Sequence, residues 1–356
     1  MLIIDSHLDL AWNALQWNRD ITQSVYTLRV QEAGISGKGR TLNTVALPEL
    51  RSGRVALCFA TLLARSTGQI SHHVDYLSPA QAHGAARGQL AYYRALEQMG
   101  QIRIITDAAS LNSHIAAWEG WEQNPDQPPP LPGFVISMES ADPILSPDVL
   151  EEWQQLGVRI IGPAHYGMGR YAGGTSVENG LTDLGIHLLA EMQRLGVLLD
   201  MTHFSDRAFW QALERYPGLV IASHNNCRAL VPHQRQFEDR QLQAIFERGG
   251  VIGVAFDTWM LQPGWIRDVS SNKDVTLANV VDHIDYICQL AGNADHAAIG
   301  SDLDGGFGRE QSPSDLDTIA DLQKIVGLLS ARGYTQDNIA AIMHRNWLRV
   351  LRKAWQ

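Results

Sequence analysis

Short apolar runs rich in Val, Ile and Leu recur along the chain at residues 2–4, 55–61, 134–138, 159–163, 197–201, 219–222, 251–255 and 297–300, each ending in polar residues. Continuous apolar character, rather than strict alternation, predicts strands buried on both faces. The stretches between them have helical composition, at 79–99, 183–195, 206–216, 239–248, 277–290 and 335–355. In the second of these, Ile186, Leu189, Ala190 and Leu195 gather mostly on one face, and Gly196 stands where a helix C-cap belongs. Buried strands alternating with amphipathic helices predict a parallel sheet of the α/β class. About eight such strands are enough to close a (β/α)8 TIM-type barrel. Residues 1–356 are expected to form one barrel domain with loop insertions.

Three segments break the pattern. Residues 122–133 (EQNPDQPPPLPG) are too proline-rich for a helix interior or a central strand and read as a linker before the third strand. Residues 258–273 carry Trp259 and Trp265 and read either as a lid over a site or as a packing contact. Residues 167–174 (GMGRYAGG) lack the Lys-Ser/Thr ending of a phosphate loop and the glycine spacing of a dinucleotide fingerprint, so a flexible loop at the barrel rim is expected.

Charge and cysteine usage narrow the function classes. A net charge of −10 with no basic block disfavours nucleic acid and anionic membranes as partners. Cys58, Cys227 and Cys288 have spacings unlike a zinc ribbon or a redox pair and read as buried, reduced side chains. The N-terminus has no basic, apolar and small-residue succession of an export signal, which predicts a cytoplasmic protein.

The chemistry lies where His and acidic residues meet strand ends. His7 and Asp9 close the first strand, Glu139 the third, His165 the fourth, His203 the fifth, His224 the sixth and Asp302 the eighth. All project at the C-terminal rim, where barrel active sites are built. Imidazole and carboxylate are the ligands of hydrolytic zinc. The His7-x-Asp9 spacing points both side chains to one face of an extended strand, so they can grip one ion. His203 and His224 can grip a second, and the two oxygens of Glu139 can bridge the pair. A lone strand-end His is more often a hydrogen-bonded rim residue, and Asp9 alone could be a helix cap. Six rim positions filled this way favour the metal. His72, His73, His83, His114, His187, His283, His296 and His344 fall in loops, in helices or before a strand and read as structural or solvated, whereas His233 is open. Asp302-x-Asp304-Gly305 lacks the remaining ligands of a calcium loop, and no Gly-x-Ser-x-Gly elbow occurs.

Taken together, Asp5-Ser-His-Leu-Asp9, Met138-Glu-Ser140, Gly180-Leu-Thr-Asp-Leu-Gly185, Asp200-Met-Thr-His-Phe-Ser205, Ser223-His224, Gly300-Ser-Asp-Leu-Asp-Gly305 and Asn346-Trp-Leu-Arg-Val350 resemble the membrane (renal) dipeptidases, zinc metallopeptidases with an amidohydrolase-like barrel. The pieces run in family order from end to end of the chain. The resemblance implies that His7, Asp9 and Glu139 hold one zinc and that Glu139, His203 and His224 hold the other. It implies that His165 contacts the scissile carbonyl oxygen, that Arg235 takes the substrate's terminal carboxylate and that Asp302 is the acid/base. A homodimer is a further implication. Two departures fall on substrate-facing loops: Gly162-Pro-Ala-His165 leads into Tyr166 where the family has Leu-Thr-His followed by Asn, and Gln236 replaces an Asn.

The expected activity is therefore a binuclear zinc dipeptidase acting on small dipeptides, including those with a D-residue at the C-terminal position. A bridging water would act as hydroxide, with Asp302 held ionised by the nearby zinc pair. Another metal-dependent amidohydrolase on the same barrel, such as a deaminase or lactonase, is the alternative. Those sites often bridge their ions with a lysine, and here the third strand ends in Glu139. A catalytically silent binding protein would be expected to have lost a ligand or Asp302, and none is lost.

Overall fold

The computed structural model describes residues 1–68 and 74–356. His72 and His73, read above as loop residues, lie outside the described residues. Eight parallel strands form the barrel: β1 (Ile3–Leu8), β2 (Val55–Leu63), β3 (Gly133–Glu139), β4 (Val158–Gly162), β5 (Leu198–Asp200), β6 (Val220–Ile221), β7 (Ile252–Val254) and β8 (Ala297–Ile299). Hydrogen bonding runs β6-β5-β4-β3-β2-β1-β8-β7. The ring closes where Ala222, one residue past β6, bridges Ile252 of β7. All eight predicted strands are present. A short strand not predicted, Arg103–Ile104, pairs with β3 outside the ring.

Side chains alternate across this wall as period two requires. Ile4, Leu57, Phe59, Val135, Ile160, Leu198, Ile221 and Ala298 pack together in the barrel interior, while Ile3, Cys58, Ala60, Phe134 and Ile136 join the layer under the helices. Trp347 belongs to the interior cluster. Its ring meets Phe59 edge-on at 5.1 Å, and its Nε1 donates to Ile299 O at 3.0 Å. The last helix, Asn346–Ala354, therefore plugs the barrel at the end where Ile4 enters, leaving the opposite end free for chemistry.

The predicted helices form at Pro79–Gln98, Asp183–Leu195, Asp206–Arg215, Asp239–Glu247 and Leu277–Ala291. Thr182 caps the second by accepting from Gly185 N, and Gly196 ends it at φ 66°, a left-handed turn that suits glycine. The helix expected over 335–355 is split. A π segment, Ala341–Arg345, separates Gln336–Ala340 from the plug helix. The widened turn changes the helical phase just before Asn346 and Trp347, the two residues that anchor the plug to the barrel. Residues 258–273 begin with a single turn, Thr258–Leu261, whose Trp259 packs with Ala255, Met260 and Trp265. Cys58, Cys227 and Cys288 are free and buried. Among the described residues, no helix is long and apolar enough to cross a membrane.

Candidate metal centre and active site

The open end of the barrel holds a cavity of about 290 Å³ lined by Asp9, Glu139, His165, His203, His224, Arg235 and Asp302, among others. His7 abuts these groups, with Nε2 at 3.8 Å from Asp9 Oδ2, 3.6 Å from Glu139 Oε2 and 3.8 Å from Asp302 Oδ1. The eight residues singled out in the sequence thus converge on one place. Repetition explains it: His165, His203, His224 and Asp302 each lie three residues beyond the last residue of their strands.

Buried carboxylates fix these strand ends. Asp200 accepts from Thr202 N at 3.0 Å and Ser223 N at 2.9 Å, which sets the segments bearing His203 and His224. Asp5 accepts from Ser301 N at 2.8 Å and Ser301 Oγ at 2.5 Å, and from His7 N at 3.3 Å, tying His7 to the segment of Asp302. Ser140, His203 and Asp302 adopt left-handed backbone, with φ of 68°, 68° and 57°. Such conformations are uncommon for non-glycine residues and persist where the surroundings hold them.

Glu139 is the hub. Its Oε1 lies 3.1 Å from His203 Nε2, 3.3 Å from His224 Nε2 and 3.7 Å from His165 Nε2. Three sets have ligand atoms within 4.8 Å of one another: His7, Asp9 and Glu139; Glu139, His203 and His224; and His7, His224 and Asp302. The third set brings Asp302 within ligand reach, a closeness its strand position alone does not reveal. His7 Nε2, Asp9 Oδ1 and Glu139 Oε1 are buried without a hydrogen-bond partner. Asp9 makes no capping bond to the helix that follows it, so the cap reading fails. Buried polar atoms left unpaired are costly, and a cation satisfies a group of lone pairs facing one another. The donor set, all imidazole and carboxylate, fits a divalent transition metal.

Electrostatics follow from this crowding. Burial alone would raise Glu139, but the surrounding imidazoles, His165 and His7 foremost, hold it well below the usual carboxylate range. Burial keeps His203 and His224 neutral, the form in which imidazole binds metal. Against its own burial, His7 is raised by Glu139 and Asp9. Burial pushes Asp302 well up, with Asp9, Glu139 and Asp257 adding to the rise over the opposing pull of His7.

Arg235 is buried, and its Nη1 donates to Asn225 Oδ1 at 2.5 Å and its Nη2 to His224 O at 2.8 Å. Neither partner is charged, and among the described residues no carboxylate pairs with it. His233 braces it, accepting from Arg235 N at 3.0 Å and packing edge-on against Trp259. Segment 167–174 is not the loose loop expected. Gly167 N donates to Thr175 O and Gly174 N to Gly167 O, both at 2.8 Å, and Asp142 accepts from Arg170 N at 2.8 Å. Its glycines serve close approach: a Cβ at Gly174 would overlap His165 O. Met260 and Arg267, from 258–273, line the cavity, with Arg267 reaching Tyr166 Oη at 3.0 Å.

Two charged strand-end residues of the cavity were not singled out from the sequence. Arg65 follows β2 and Asp257 follows β7, so they occupy the two strand ends not assigned above. Each is a charged residue just beyond an apolar run, the same signal that singled out the others.

A family model described as membrane dipeptidase (peptidase family M19) matches residues 1–356. A protein of Klebsiella pneumoniae called "Uncharacterized protein in pqqA 5'region" is 36% identical over 215 residues, 58% of this chain and 76% of that protein. The dipeptidase tcpJ of Claviceps purpurea is 33% identical over 218 residues, 58% of this chain and 47% of its own length. The matched stretch thus spans about half of that fungal relative. Among solved structures, the metallo peptidase "dipeptidase AC" of family M19 superposes with a TM-score of 0.79 at 25% identity, covering 100% of this chain and 99% of that one. A Rhodobacter sphaeroides metallo peptidase, solved with a phosphinate mimic of L-Ala-D-Ala, gives 0.78 at 23% identity, covering 100% and 99%.

Proposed function

The chain belongs to the membrane dipeptidase family, a family of metallodipeptidase hydrolases, and from that premise we propose that it cleaves small dipeptides with two zinc ions. The observation that carries this reading is the trio of buried, unpartnered atoms His7 Nε2, Asp9 Oδ1 and Glu139 Oε1 in one cluster. His7, Asp9 and Glu139 would hold one ion, and Glu139, His203 and His224 the other. Such ions, when bound, lower the pKa of a water and polarise a carbonyl.

The chain's own groups supply the rest. Arg235 presents its unused N–H groups to the substrate's terminal carboxylate, a charge-assisted contact in a buried setting. His165 donates from Nε2 to the carbonyl oxygen as that atom gains charge. Asp302 takes the proton of the attacking water and returns it to the leaving nitrogen. A cavity of about 290 Å³ sits at the small end of ligand sites, which favours a two-residue substrate. The dipeptide mimic bound by the Rhodobacter protein supports extending the substrate class to a C-terminal D-residue. Three free, buried cysteines are in keeping with a reducing, cytoplasmic setting. On this reading residues 1–356 work as one hydrolase unit.

Elemental analysis of zinc-reconstituted protein, with turnover of L-L and L-D dipeptides, tests the proposal. About two ions per chain and hydrolysis of at least one class are expected, with Glu139→Ala losing metal. A chain that takes up no divalent metal would refute it.

A further inference from the structure

Four imidazoles face Glu139, yet only three are assigned to metal. The groups behind the rings separate them. Thr175 Oγ1 lies 2.9 Å from His203 Nδ1, Ser223 Oγ 2.9 Å from His224 Nδ1 and Thr61 Oγ1 3.5 Å from His7 Nδ1. A hydroxyl can accept a proton carried on Nδ1, which leaves Nε2 with a bare lone pair. Behind His165 stands Arg65, with Nη1 at 3.0 Å from Nδ1. A guanidinium has no acceptor, so His165 Nδ1 must accept and the ring proton must sit on Nε2. That Nε2 lies 3.7 Å from Glu139 Oε1, facing the cluster.

Arg65 is itself held firmly. Its Nη2 pairs with Asp75 Oδ2 at 2.9 Å, and Nη1 also donates to Tyr166 O at 3.1 Å. Asp75 is anchored in turn by Thr67 N at 2.8 Å and Thr67 Oγ1 at 2.7 Å. Backbone bonds Arg65 N to Val74 O and Tyr76 N to Arg65 O fasten the two chain segments together.

We propose that Arg65, anchored by Asp75, is a positioning residue that locks His165 in the Nε2–H tautomer, making it a hydrogen-bond donor to the substrate carbonyl and excluding it from the metal ligands. The consequence for substrate rests on the dipeptidase reading; the tautomer assignment does not. Long-range ¹H–¹⁵N spectra of zinc-loaded, ¹⁵N-histidine-labelled protein, with His165 assigned by its loss in His165→Gln, read the tautomer directly. The wild type should show a protonated Nε2 and an acceptor-type Nδ1. Arg65→Met should lose that pattern, and Arg65→Lys, which keeps a donor, should retain it. In dipeptide turnover, Arg65→Met should lower kcat by about 10²-fold, the usual loss for one oxyanion donor, with KM little changed and part of the rate restored by Lys. A proton on Nδ1 in the wild type, or an unchanged Nε2–H pattern in Arg65→Met, overturns the proposal. Should Arg65→Met fail to fold, the wild-type spectrum alone decides. If the spectra behave as expected while no dipeptide is cleaved, the dipeptidase reading falls and the tautomer assignment stands.

Discussion

Replacing Arg235 by lysine separates a charge from a fork. The guanidinium has five N–H groups; one is used on Asn225 Oδ1 and one on His224 O, which leaves the others for a substrate. Lysine keeps the positive charge but not the planar pair of donors. A hydrogen bond to a charged group contributes about 1.5–3 kcal/mol, and about 1.4 kcal/mol is tenfold in an equilibrium constant. Losing one of two contacts to the terminal carboxylate should therefore raise KM by about 10–100-fold. Because the contact is made equally in ground and transition states, kcat should change little. Steady-state kinetics on a free dipeptide and its C-terminal amide make the test, with zinc content and melting temperature as controls for the lost anchor on the His224 carbonyl. The amide should be a poor substrate of the wild type and should gain nothing from the native arginine. Equal turnover of acid and amide, or a KM within twofold in Arg235→Lys, would refute the reasoning.

Asp302→Asn keeps shape but cannot take a proton, so kcat should fall by about 10²–10⁴ while bound zinc stays near wild type; loss of an ion, restored by excess metal, would make Asp302 chiefly a ligand. A Cβ at Gly300 would overlap Ser223 O and crowd Ser6 Oγ, so Gly300→Ala should lower unfolding stability by about 3 kcal/mol or more, and a denaturation midpoint near wild type would show that the barrel wall yields. His283 is held neutral by burial, its pKa pushed from 6.5 to about 4. The unfolded chain binds a proton in that interval and the folded one does not, so stability is full above pH 6.5 and drops as pH falls toward 4, by about 3 kcal/mol at about 1.4 kcal/mol per pH unit. Unfolding of wild type and His283→Gln at about pH 7.5 and about pH 5 should show a steeper loss in the wild type; parallel losses would exclude His283 as the cause.

The strands and the residues of the candidate site were legible because a parallel barrel writes both in one code, an apolar run followed by a polar or charged end. What stayed hidden lacked such a code. Helices such as Leu10–Gln16, Val25–Gln31 and Leu47–Ser52 are about two turns or less, too short for helical periodicity to stand out. The π segment at Ala341–Arg345 answers to the barrel floor, a tertiary demand with no local signature. Arg65 and Asp257 do carry the strand-end signal but belong to none of the quoted motifs, and the cavity shows that they face the same space as Glu139. The rim loop at 167–174 looked loose because glycine permits mobility; here it permits contact.

The left-handed turns at Ser140, His203 and Asp302 bear on which metals the protein admits. The segments bearing His203 and Asp302 are held by Asp200 and Asp5, carboxylates that belong to none of the three ligand clusters. The donor atoms are therefore cast into place by folding itself, as a mould is set before it is filled. An arriving cation need not organise a loose chain, so little of its binding energy goes into ordering ligands. Such a mould selects by size and preferred geometry, not by intrinsic affinity, which among first-row divalent ions favours copper over zinc. Selectivity in this protein would then reside in its backbone as much as in its imidazoles.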